Sequence, residues 1–182
     1  MTLITLREIF DIIIMTVAVG YIFMDSFKKT EQYSSFDWKV LWFSCIVAAP
    51  GLILHELAHK FVALSFGMQA VFHAAYTWLG IGIALKLLGA GLIFFVPGYV
   101  QISGGILPGA HALVAFAGPA LNLVMYLVAK VMLQEKNNLK HRTFLFWTVT
   151  KQLNGFLFIF NMLPIPLFDG WSVYKGIWQV LV

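Results

Sequence analysis

The chain has 182 residues, of which 60% are hydrophobic and only 11% charged, and its mean hydropathy is +0.86. A soluble domain carries about 45–50% apolar and about 25% charged residues, so this composition excludes an ordinary soluble globule and points to an integral membrane protein. The net charge of +4 comes from basic residues scattered without a basic block, which argues against nucleic acid as a partner and suits the anionic headgroups of a lipid bilayer.

A spanning helix needs about 20 largely apolar residues. The first candidate runs from about Ile9 to Met24 and carries Asp11. The N-terminus before it mixes acidic and basic residues and lacks a small-residue cleavage site, so this segment is expected to be retained rather than removed as a signal peptide. A polar loop, Asp25 to Asp37, follows. The second candidate runs from Trp38 to about Phe66, with Pro50-Gly51 marking an expected kink.

From Met68 to Gly109 the chain stays apolar but is punctuated by Gly80, Gly82, Gly89, Gly91, Gly98, Gly104 and Gly105, and by Pro97 and Pro108. Within it, Phe95 to Ser103 (FVPGYVQIS) reads as a strand. The next helix is expected over about His111 to Leu133, then a polar loop from Gln134 to Arg142, then a last long helix from near Thr143 to about Leu163. Pro164 and Pro166 must end it, because proline cannot continue helical hydrogen bonding. Trp171 to Val182 reads as an amphipathic interfacial helix or a partial span. The lone Cys45 excludes an internal disulfide and a cysteine-based metal site.

Chemistry concentrates in LILHELAHKF, Leu52 to Phe61. Residues four apart share a helix face, so His55 and His59 can hold one zinc ion. Glu56 sits about 100° round from His55, within reach of a water on that ion. This H-E-x-x-H spacing supplies two ligands and a carboxylate base. Zinc acidifies water and polarises a carbonyl, and the glutamate can take the water's proton and pass it to a leaving amine. The plain alternative is two packed histidines beside a snorkelling glutamate; three ionisable groups in an apolar span weigh against it.

A catalytic zinc wants three protein ligands. His73 and His111 lie near the ends of apolar segments, where packed or interfacial histidines are common. His141 and Glu135 belong to a charged loop. Asp169 follows PIPLF beside an apolar helix, with Gly170 expected to give backbone freedom; capping the tail helix is its plain alternative.

HELAH at 55–59, GPALN at 118–122 and NMLPIPLFDG at 161–170 together resemble the site-2 protease family of intramembrane zinc metalloproteases. The resemblance covers roughly Trp38 to Gly170. It implies one zinc per chain held by His55, His59 and Asp169, with Glu56 as catalytic base. It implies cleavage of a peptide bond in a transmembrane protein substrate, as in regulated intramembrane proteolysis. It suggests oxyanion or substrate contacts for Asn161, more weakly for Asn122 and more weakly still for Asn154; helix–helix hydrogen bonding is the alternative for these asparagines. With thirteen residues after Asp169, a member close to the minimal core is expected.

The fold class expected is an all-α membrane bundle of about four spanning helices, with a small re-entrant hairpin of strand and short helix after the HELAH helix. One domain spans 1–182: 1–37 the first membrane helix and loop, 38–170 the catalytic core, 171–182 the tail. The re-entrant expectation follows from the metal. If the ends of the second and last long helices meet at one ion, the GPALN helix and the last helix already make the two crossings required, so Ala70 to Gly105 must enter and leave on one side. The unwound substrate needs backbone partners, which a strand edge from Phe95 to Ser103 could supply. A multi-pass protein of a prokaryotic cell membrane is expected. A catalytically silent membrane scaffold and a metal or proton transporter are the competing functions.

Overall fold

The computed structural model describes residues 3–27, 36–90, 96–105, 107–135 and 139–182. The elements in chain order are α1 (Leu6–Phe23), a 3-10 turn (Met24–Phe27), α2 (Trp38–Ser65), β1 (Gln69–Ala74), α3 (Tyr76–Leu87), β2 (Gly98–Ser103), α4 (Pro108–Glu135), α5 (His141–Asn161) and α6 (Asp169–Leu181). Among the described residues, three helical segments are long and apolar enough to cross a membrane: Leu6–Phe27, Trp38–Ser65 and Pro108–Glu135. The expected fourth span is α5. It is long enough at 21 residues, but Lys151, Gln152 and Asn154 interrupt its apolar text, and it is not among the three.

The chain forms two compact units. In one, built from the described residues up to Ile53 and Phe72–Tyr99, two acidic residues of α1 explain their place in an apolar helix. Thr5 and Glu8 form a reciprocal capping box that starts α1. Glu8 is buried, and its Oε1 also accepts the Phe72 backbone N–H at 2.8 Å. Asp11 accepts the Tyr76 hydroxyl. These contacts tie α1 to β1 and to the start of α3. Gly20 lies against Cys45, where a Cβ would come within 2.2 Å of the sulfur, so α1 and α2 approach closely there.

The other unit comprises Leu54–Val71 and Val100–Val182. Ala63, Met68, Ala70 and Val114 form a buried apolar cluster in it. Here α4 packs against both α5 and α6. Gly176 permits the α6 contact, since a Cβ would lie 2.8 Å from Ala112 Cβ and from the Pro108 carbonyl oxygen.

The two strands pair in one sheet. Ala75 N–H donates to the Pro97 carbonyl at 3.0 Å, while Met68 lies beside Gly104. Both pairs have the same residue-number sum (75 + 97 = 68 + 104 = 172), so the strands are antiparallel in unbroken register. The rings of His73 and Tyr99, which share that sum, lie 5.4 Å apart. The strand expected over Phe95 to Ser103 begins at Gly98, and Phe95 and Gly91 lie outside the described residues. Its partner β1 was not anticipated from the sequence. Between the strands, α3 has 12 residues, a rise of about 18 Å against a hydrocarbon core of about 30 Å. The segment therefore leaves the end of α2 and returns beside it.

Candidate metal centre

Successive turns of α2 carry His55 and His59, and their rings stand edge to face with centroids 4.7 Å apart. Their Nε2 atoms are 3.1 Å apart. Asp169, the first residue of α6, places Oδ2 3.1 Å from His55 Nε2 and 3.3 Å from His59 Nε2. Among the described residues this is the one set of three ligating side chains within reach of a single ion. Zinc bonded to nitrogen and oxygen at about 2.0–2.1 Å in a tetrahedron has ligand–ligand edges of about 3.4 Å, close to all three separations.

The hydrogen bonds behind the ligands fix their chemistry. His55 Nδ1 faces Asn122 Oδ1 at 2.5 Å, and His59 Nδ1 faces the Val114 carbonyl oxygen at 2.8 Å. Both partners accept, so each ring carries its proton on Nδ1 and turns the Nε2 lone pair inward. Asp169 Oδ2 faces both Nε2 atoms and adds a carboxylate oxygen to the set. Two lone pairs and a carboxylate oxygen thus face one another at about 3 Å. Such a set repels itself until a cation sits among it. The donors present therefore fit zinc.

Gly118 makes the room. A Cβ there would lie 2.4 Å from His59 Nε2 and 2.7 Å from His55 Nε2, so only glycine lets the α4 backbone face the two nitrogens. The sequence reading passed over Gly118 and the Val114 carbonyl. The glycine of GPALN was the available signal; a backbone carbonyl leaves none.

A sharp return in the chain delivers Asp169. After α5 ends at Asn161, Leu167 takes a left-handed φ of 90° and Phe168 is extended. The start of α6 carries no side-chain cap, and the Asp169 carboxylate turns to the histidines, not to the helix end. Gly170 is required for a different reason than backbone freedom. A Cβ on it would lie 2.6 Å from the Met162 carbonyl carbon and oxygen, so the loop closes tightly over the end of α5. Tyr174 OH donates to the same Met162 oxygen at 3.0 Å.

The remaining candidates have other surroundings. Glu56 follows His55 on α2, and the Val100 backbone N–H of β2 faces it. Asn122 is fully buried, with Oδ1 at His55 and Nδ2 donating to Asn154 Oδ1 at 2.8 Å. Its carboxamide is engaged inside the protein, an arrangement unlike the substrate contact expected of it. Asn161, half-buried, is the last residue of α5. His73 lies 3.9 Å from Asp11. His111, His141 and Glu135 are exposed at helix ends.

No family model and no solved structure matches the chain. A protein of Methanocaldococcus jannaschii named "Putative zinc metalloprotease MJ0611" is 35% identical over 181 residues, covering 96% of this chain and 88% of that protein. The metal-ligand chemistry of the site and this likeness over nearly the whole length agree, and the chain belongs to the zinc metalloprotease family.

Proposed function

We propose that this zinc metalloprotease belongs to the site-2 protease type and hydrolyses a peptide bond within or near a transmembrane segment of a membrane-protein substrate. The observation that carries the reading is the convergence of His55, His59 and Asp169 on one point along an apolar helix long enough to span a bilayer. Lys39 to His55 is sixteen residues, or about 24 Å of helix against a core of about 30 Å, so the site lies inside the membrane. With α5 as a fourth span, the protein is multi-pass, in the cell membrane of a prokaryote.

One zinc per chain, held by His55, His59 and Asp169, supplies Lewis acidity toward the scissile carbonyl and toward water. Glu56 accepts the proton of the attacking water and returns it to the leaving amine nitrogen. Asn161 offers an amide donor to the substrate at the end of α5. A substrate helix shields its own peptide bonds, so it must unwind locally, and the edge of β2 beside Glu56 gives the extended backbone hydrogen-bond partners. The place of Glu56 between His55 and His59 in the motif favours this over a transporter, where a base next to two ligands has no task. A silent scaffold has no need of Glu56 either.

The test is cleavage of a transmembrane peptide by the protein reconstituted in liposomes. Wild type should cut, chelation should abolish cutting, and Glu56→Gln should bind zinc without cutting. Full activity in Glu56→Gln would remove the mechanism.

A further inference from the structure

We propose that Asn154 and Asn122 form a positioning relay that sets the tautomer and orientation of His55 from the backbone carbonyl of Thr150. The inference rests on reading His55 as a zinc ligand. It starts at a group whose role has no ambiguity. A backbone carbonyl oxygen can only accept, and Asn154 Nδ2 donates to the Thr150 oxygen at 2.8 Å within α5. That contact fixes which way the Asn154 carboxamide faces, leaving Oδ1 toward α4. Asn122 Nδ2 donates to it at 2.8 Å. The Asn122 carboxamide is thereby fixed too, and its Oδ1 must face His55 Nδ1, at 2.5 Å. An oxygen there obliges His55 to carry its proton on Nδ1, which frees the Nε2 lone pair for the metal.

Burial makes the relay necessary. Relative exposures are 6% for His55, 0% for Asn122, 1% for Asn154 and 5% for Thr150, so bulk water has little access to reorient any member. An asparagine that could turn its amide round would offer N–H to His55 Nδ1 and select the wrong tautomer. The second histidine shows the simpler solution: His59 reaches the Val114 carbonyl directly at 2.8 Å. Both ligands are thus referred to a backbone carbonyl, one directly and one through two carboxamides that also join α4 to α5. Asn154 is a positioning residue, since it touches no ligand of the metal; its contacts run to Asn122 and Thr150.

The test is zinc affinity by chelator competition on the full chain in detergent, in a double-mutant cycle. Asn154→Leu removes the orientation lock and should weaken zinc binding on the order of 10–100-fold, the range of second-shell losses. Asn122→Asp presents an oxygen to His55 whichever way it turns, so in that background Asn154→Leu should cost little. Equal losses in both backgrounds would reduce Asn154 to a structural contact and overturn the relay. Asn154→Thr, whose hydroxyl can both donate and accept, should recover part of the affinity. If Asn154→Leu does not fold, the ring-nitrogen NMR signals of zinc-free wild type decide, because His55 protonated on Nε2 overturns the relay. Neither readout depends on peptide cleavage, so loss of the protease reading would leave a distinct signature.

Discussion

Gly118 faces His59 across a gap that a single carbon atom would close, the Cβ position lying 2.4 Å from His59 Nε2. The same carbon would lie 2.8 Å from His55 Cδ2, so neither ring can yield without losing its Nδ1 partner. Gly118→Ala should therefore cost zinc affinity by more than about 10-fold while α4 persists, since alanine is a better helix former than glycine. Zinc stoichiometry and helical circular dichroism on the same sample check this. Retained tight zinc would show that α4 stands further from α2 than described.

Asp169→Ala should lose more affinity than any substitution behind the ligands, beyond the about 10–100-fold of a second-shell loss, because it removes one of three donors and the only charge among them. Asp169→Asn keeps the shape but not the charge and should fall between. Metal analysis after gel filtration reads both. Unchanged zinc content in Asp169→Ala would point to another third ligand.

How much of this was legible in the sequence depends on what each position requires. His55, Glu56 and His59 stood out because helical spacing converts their separation into a shared face and their polarity is costly in an apolar run. Asp169 stood out for the same cost beside two prolines. Gly118 was not legible as a site residue, because its requirement is an absent side chain where α4 meets α2, and glycine reads alike in a turn, a flexible joint or a close contact. Gly170 was assigned backbone freedom for that reason, whereas its φ is ordinary and its space is not. The strand β1, QAVFHA, alternates exposed and buried residues over only six positions, too few to stand apart from the end of an apolar helix. α5 was placed to within two residues at each end, yet its polar stripe at Lys151, Gln152 and Asn154 separates helix length from span character.

The return that delivers Asp169 gives a paired test. Gly170→Ala pushes a Cβ into the Met162 carbonyl, a backbone atom that cannot step aside, and should destabilise by about 1–3 kcal/mol while loosening zinc. Leu167→Gly relieves a left-handed φ of 90° at a fully exposed residue and should be neutral or stabilising by up to about 1 kcal/mol. Thermal unfolding in detergent, followed for both variants, should move in opposite directions or in the first only. A larger loss for Leu167→Gly would mean that its side chain, not its backbone, holds the loop.

The last prediction concerns the path of the chain between the histidines and α4. Met68 and Gly104 lie side by side, the strand register is unbroken from there to the Ala75–Pro97 hydrogen bond, and α3 is too short for a bilayer core. A chain that leaves and returns at one place cannot have crossed, so Gln69 and Gly105 should face the same side of the membrane. The length and hydropathy of the whole segment would allow a crossing, which makes the outcome informative. Cysteines introduced singly at Gln69 and Gly105, with Cys45 replaced by alanine, should label with the same impermeant reagent from the same side. Cys45→Ala is the suitable background, since the smaller side chain eases the contact with Gly20. If the two positions label from opposite faces, α4 and α5 no longer return Asp169 to the histidines' side. It would then sit about 30 Å away across the core, and either the hairpin or the aspartate ligand would have to be given up.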